Sequence, residues 1–164
     1  MKKNQCITII LMVALLAIFG CKNPEANATD NAVEKFDLAA AKTSIEARSK
    51  IFAEALNKKD SVGLANCYTN DGKFMQPNDK TVSGRENIQK LFGQWMKSGM
   101  PQFSIKTIEV WGDENVLAAE EEWTFSDKDG KVVDTGKSIE VFKMEDGVWK
   151  LHRDCYNSDF PCPK

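Results

Sequence analysis

A chain of 164 residues, 42% hydrophobic and 28% charged, has the size and composition of one globular domain with a single core. Its formal net charge is −2 and no run of Lys or Arg follows the first three residues. That excludes the clustered cations a phosphate backbone requires, and a nucleic-acid partner with them.

The chain begins "MKKNQCITIILMVALLAIFGC", in which Lys2 and Lys3 precede an apolar run from Ile7 to Gly20. The run is shorter than the roughly 20 residues that cross a bilayer, and it is apolar on every face, unlike a core helix. The stretch "LAIFGC" resembles the lipobox of bacterial lipoprotein signal peptides, although Phe19 is bulkier than that motif usually allows. The resemblance implies a signal peptide over residues 1–20 and a lipid on Cys21. Lys22 follows Cys21, where an Asp would retain an enteric-bacterial lipoprotein in the inner membrane, so an outer-membrane anchor is expected. Residues 21–36 are poor in large apolar groups and read as a flexible tether.

The domain is expected over residues 37–164. Asp37 is placed to cap a first helix through about Asn57, with Leu38, Ala41, Ile45, Phe52, Ala55 and Leu56 near one stripe. Ser61 is expected to cap a short second helix ending near Tyr68, and "TNDG" to turn the chain into an extended "KFMQP". Ser83 and Glu86 have the spacing of a capping box for a third helix, whose Ile88, Leu91, Phe92, Trp95 and Met96 recur at helical period until Gly99 and Pro101. Four strands follow, Phe103 to Trp111, Val116 to Ser126, Lys131 to Met144 and Val148 to Tyr156, separated by "GDEN", "DKDG" and "EDG". Short Asp/Asn/Gly turns between such runs indicate antiparallel hairpins, giving an α+β fold with helices on one face of a curved sheet.

An exported chain keeps Cys67, Cys155 and Cys162 where disulfides are permitted. Of three possible pairings, Cys155 with Cys162 is nearest in sequence and would stabilise the fold by about 2.5 kcal/mol on a loop-entropy model. Cys67, after Leu64 and Ala65, suits a buried thiol. With no C-x-x-C pair and only one histidine, neither a metal site nor a cofactor is expected.

The segments "ALNKKD", "SVGLANCY", "NDGKFMQP", "SGRENIQKLFGQWM" and "WKLHRDCYNSD", in this order, resemble the SnoaL-like, ketosteroid-isomerase-like superfamily, also called nuclear transport factor 2-like. That resemblance spans Leu38 to about Asp159. It implies a cone in which the sheet wraps the first helix, an apolar pocket at the wide end, and a homodimer. Isomerases of the superfamily use an Asp base before a Pro and a Tyr oxyanion donor on the first helix. Here those positions hold Gln76 and Phe52, and neither can do that work.

In "NVLAAEEEWTF", Leu117, Ala119, Trp123 and Phe125 share one face by the period of two, and Glu121 sits among them. An inward carboxylate is costly unless paired, protonated or wet, so Glu121 is either a candidate general base or a structural ion pair at a wet pocket mouth. By the same alternation Trp149, Leu151, Arg153 and Cys155 point inward, and His152, Asp154 and Tyr156 outward. One bulge between Leu151 and Asp154 would reverse this. The ligand-binding candidates are therefore Trp95, Glu121, Trp123 and Arg153, with His152 and Asp154 behind them. The resulting expectation is an exported, lipid-anchored domain holding a small apolar or acidic molecule. The alternatives are an enzyme with Glu121 as base and Arg153 or His152 holding the substrate, and a non-catalytic dimeric interaction module.

Overall fold

A computed structural model describes residues 35–161. The expected signal peptide, Cys21, most of the tether and Cys162 lie outside them. Among the described residues no helix is long and apolar enough to cross a membrane.

Helix α1 spans Leu38–Asn57 and starts where expected: the Asp37 carboxylate accepts from the amides of Ala39 and Ala40, filling two of the donors a helix start leaves open. Its buried stripe is Ala41, Ile45, Ser49, Phe52, Ala55 and Leu56, while Leu38 stays exposed. Asn57 ends the helix and ties it to the sheet. Its Nδ2 donates to the Phe103 carbonyl at 2.8 Å and its Oδ1 accepts from the Phe103 amide at 2.8 Å.

Helix α2, Ser61–Ala65, corrects one expectation: Asp60, not Ser61, is the cap, accepting from the Gly63 amide at 2.8 Å, and the helix stops well before Tyr68. Strand β1 already starts at Tyr68 and runs to Met75, so "TNDG" lies inside a strand and makes no turn. Gly72 serves there as a close-approach residue, with the Leu151 carbonyl and Tyr68 Cβ just outside the space its missing side chain would fill. After the two-residue strand β2, Val82–Ser83, helix α3 spans Arg85–Lys97. The expected capping box is absent. Ser83 is held in β2 opposite Lys73, and the N-cap is Gly84 at φ 86°, a backbone angle only glycine adopts freely. Ile88, Phe92 and Met96 form the buried face of α3.

Strands β3 (Gln102–Gly112), β4 (Leu117–Ser126), β5 (Val132–Glu145) and β6 (Val148–Ser158) form the expected antiparallel meander. Asp146 and Gly147, at φ 56° and 74°, make the tight β5–β6 turn. The sheet is wider than four strands. β1 adds to β6 in parallel and β2 to β1, giving the curved, open order β2-β1-β6-β5-β4-β3. Helices α1 and α3 cover its inner face, and the core lies between.

One irregularity redirects the last strand. Phe142 pairs with Leu151 and Val141 with Arg153, leaving His152 as an extra residue. Beyond this bulge the alternation is inverted: Asp154 is buried, Cys155 is exposed, and Arg153 is half-exposed with Nη1 donating to the His152 carbonyl at 2.5 Å. The inward placement expected for Arg153 and Cys155, and the outward one for Asp154 and Tyr156, are thereby corrected.

Candidate functional site

Strand parity and register build the inner face of the sheet row by row. Ala119, Glu140 and Asp154 lie opposite one another on β4, β5 and β6. In the next row stand Glu121, Ser138 and Tyr156. Three carboxyl groups thus converge on adjacent strands, and all are buried, Glu121 at 0% exposure, Asp154 at 4% and Glu140 at 6%.

Hydroxyl groups meet them. The Tyr68 hydroxyl, from the start of β1, donates to Asp154 Oδ2 at 2.5 Å. Ser49 on α1 and Thr107 on β3 both donate to Glu121 Oε1, at 2.6 and 2.7 Å, and Ser138 donates to Glu140 Oε1 at 3.2 Å. Among the described residues the buried Trp123 indole N–H has no hydrogen-bond partner, and Glu121 Oε2 has none beyond the proton that a protonated Glu140 shares with Glu121.

Crowding decides the protonation. Burial, opposed by the Tyr68 hydrogen bond and reinforced by the charge of Glu121, pushes Asp154 up to about 7. Burial and then the neighbouring charges of Glu121 and Asp154 hold Glu140 well above the usual carboxylate range. Burial and the adjoining Asp154 hold the Tyr68 hydroxyl well above its ordinary value, and Tyr156 is pushed to about 12 by burial and then by Asp154 and Asp134. Carboxyl groups this close cannot all ionise, so the cluster keeps a proton at neutral pH and can both donate and accept one.

Glu140 and Asp154 form the polar floor of a cavity of about 110 Å³. Its walls are aromatic: Phe52, Phe74, Phe92, Trp95, Phe103, Trp123, Phe125 and Tyr156, completed by Leu56, Met100, Ile105 and Ser138. Trp95, Met100, Phe103, Ile105, Phe125 and Tyr156 are half-exposed, the deeper groups buried. The volume is somewhat below the roughly 150 Å³ that accepts a benzene ring in an engineered protein cavity. A small ring would therefore be enclosed only in part, its outer edge left among the half-exposed residues. Glu121 lies behind this floor on a void of about 10 Å³, shared with Arg48, Ser49, Cys67 and Glu140 and large enough for one water at most.

Trp95, Trp123 and Asp154 among the sequence candidates border the cavity, while Glu121 stands one layer behind it. Arg153 faces away. His152 borders neither chamber; its Nδ1 lies 3.1 Å from Thr69 Oγ1 and 3.4 Å from Asp71 Oδ1. Burial, and then the charge of Arg153, lower its pKa. Phe52 is a buried wall residue, and Gln76 donates to Asp79 Oδ2 at 3.2 Å, away from the cavity. Sequence reasoning missed Glu140, Tyr68, Tyr156 and Arg48. Among the described residues no group of three or more acidic, His or Cys side chains is arranged to hold a metal ion.

The SnoaL-like domain pattern matches residues 50–152, from the middle of α1 to the bulge of β6. The chain belongs to the SnoaL-like domain family. Its fold recurs in solved structures. A ketosteroid isomerase-like protein from Erwinia carotovora atroseptica superposes with a TM-score of 0.61 at 19% identity, over 73% of this chain and 96% of that one. A protein of unknown function with a cystatin-like fold from Nostoc punctiforme reaches 0.68 at 16% identity, over 76% and 96%. A Mycobacterium tuberculosis protein of unknown function reaches 0.64 at 18%, over 76% and 75%. None of the curated proteins matches. At these identities the SnoaL-like family membership fixes the architecture, and the chemistry must be read from this chain's own residues.

Proposed function

We propose that this SnoaL-like domain is exported, anchored by a lipid on Cys21, and holds a small apolar molecule in its aromatic cavity with the polar end toward Glu140 and Asp154. The observation that carries this reading is the cavity itself: aromatic walls around a floor of two buried carboxyl groups. Concave, mostly apolar sites with a few converging polar groups are where small ligands bind.

A thermal-shift screen of ring-containing molecules against the full chain tests it, repeated with Met100→Trp to fill the outer cavity. Ligands that raise the melting temperature of the parent should lose that effect in the variant. A screen without a hit, or shifts that survive Met100→Trp, would end the proposal.

A second reading, acid/base catalysis on the bound molecule, is favoured by one observation: Asp154 is pushed up to about 7 and faces the cavity beside the Tyr68 hydroxyl. On this reading Glu140 and Asp154 meet the substrate, and Glu121, set behind them, supplies charge to the cluster. Turnover of a screened ligand that Asp154→Asn abolishes without abolishing binding would distinguish it. The anchor is tested by Cys21→Ala, which should remove both a lipid mass shift and the membrane fraction. A homodimer through the outer sheet face, where Ile139 and Trp111 are exposed, is tested by sedimentation of the chain with and without Ile139→Lys.

A further inference from the structure

We propose that the molecule held in this cavity carries an organic cation, an ammonium or a comparable protonated nitrogen, seated against Glu140 and Asp154. The inference rests on the binding reading above and narrows its ligand class.

The cavity lining is unbalanced in charge. None of the fourteen residues that border the cavity is Lys, Arg or His, yet two are acids. The third carboxyl, Glu121, is fully buried one layer behind and is hydrogen-bonded to Glu140. A basic group, Arg48, lines the small rear void with Glu121 and Glu140 and does not border the cavity. Among the described residues the floor therefore has no counter-charge on the cavity side. Buried carboxylates are tolerated when a cation completes them, and an uncompensated set is held neutral instead. The upward displacement of Glu140 and Asp154 is that second state, which a bound cation would reverse.

The walls point the same way. Aromatic faces attract cations through the ring quadrupole, and Phe74, Trp95, Trp123 and Tyr156 line the same cavity as the two acids, packed on one another at ring separations of 5.4–5.8 Å. An acidic ligand gains nothing comparable: its carboxylate would add one more negative charge to carboxyl groups that already cannot all ionise together. Apolar walls suit an organic cation better than a hydrated metal ion.

The test uses three probes of equal shape on the full chain: benzylamine, benzyl alcohol and benzoate, titrated by calorimetry at pH 7.5. Benzylamine should bind about tenfold more tightly than benzyl alcohol, and benzoate should give no measurable binding. In Asp154→Asn and in Glu140→Gln, each verified as folded by circular dichroism and a cooperative melt, the advantage of the amine should disappear while the alcohol still binds. If the alcohol or the acid equals the amine, or the amine's advantage survives both substitutions, the cation inference fails and the cavity reading stands. If none of the three probes binds, both fall together.

Discussion

Gly136 shows how closely single residues are matched at this site. It lies opposite Trp123 on β4, and a methyl group there would collide with the Trp123 ring and with the Asn157 carbonyl. Backbone cannot move aside cheaply, so Gly136→Ala should destabilise the domain by about 1–3 kcal/mol in urea denaturation. It should also tilt the Trp123 ring, which a changed tryptophan emission would report. Glu140→Gln acts in the other direction. The Glu140 carboxyl is raised in the folded state, so its contribution is complete below its unfolded value and is lost as pH rises through the folded one. The amide removes that loss and offers Glu121 an N–H in place of the Glu140 proton. Stability at pH 8 should rise by about 1–2 kcal/mol, with little change at pH 4. Legibility in the sequence divides along the same line. Glu121 was readable because Leu117, Ala119 and Trp123 flank it at the right parity. Glu140 was not, because β5 puts Gly136, Ser138 and Glu140 inward and leaves Ile139 48% exposed, so Phe142 is the one large apolar residue that marks their buried face.

At the scale of elements, the decisive features are joints and irregularities. Asn57 carries two hydrogen bonds between the end of α1 and β3, and Asn57→Ala leaves the Phe103 amide and carbonyl without them. A loss of about 1–3 kcal/mol is expected in chemical denaturation, with Asn57→Asp, which keeps the acceptor, losing less. The β6 bulge is the larger determinant. Deleting His152 would leave Phe142 opposite Leu151, Val141 opposite Arg153 and Glu140 opposite Asp154, so regular pairing would keep Asp154 inward and cost only the His152 contacts with Thr69 and Asp71. The deletion variant should keep a cooperative thermal transition at a lowered melting temperature. Helices and hairpins were legible because their signals are local: Asp37 before an apolar stripe, or Asp146-Gly147 between alternating runs. The bulge was not, since "LHRD" reads as regular alternation and only the partner strand reveals the extra residue. β1 was hidden for a related reason. Its turn-like "TNDG" is held extended by the buried Tyr68 and by β6, which comes some eighty residues later.

For the whole molecule, the buried acids set a pH optimum. Asp154 shifts from an ordinary 3.8 to about 7, so its stabilising contribution is full below about 4 and declines as pH rises to 7. Glu145 works oppositely. Burial opposes its ionisation, but the Asn70 amide, Lys150 and Arg85 outweigh that and bring it to about 2, so its contribution is full above 4.5 and is lost as pH falls toward 2. The melting temperature should therefore be higher at pH 5 than at pH 8, by roughly 5–10 °C, and should fall again below pH 3. Asp154→Asn should flatten the alkaline limb, as differential scanning calorimetry across that range would show.

The parallel seam between β1 and β6 also imposes an order of events on the nascent protein. Tyr68 and Asp154, joined by one hydroxyl, are separated by most of the domain's contour, and such remote partners meet late because a large loop must close first. The chamber's floor is incomplete until its final strand arrives. A chain halted before residue 148 would own every helix and all of the aromatic lining but Tyr156, yet hold only Glu140 of the two carboxyl groups that meet a guest's polar end.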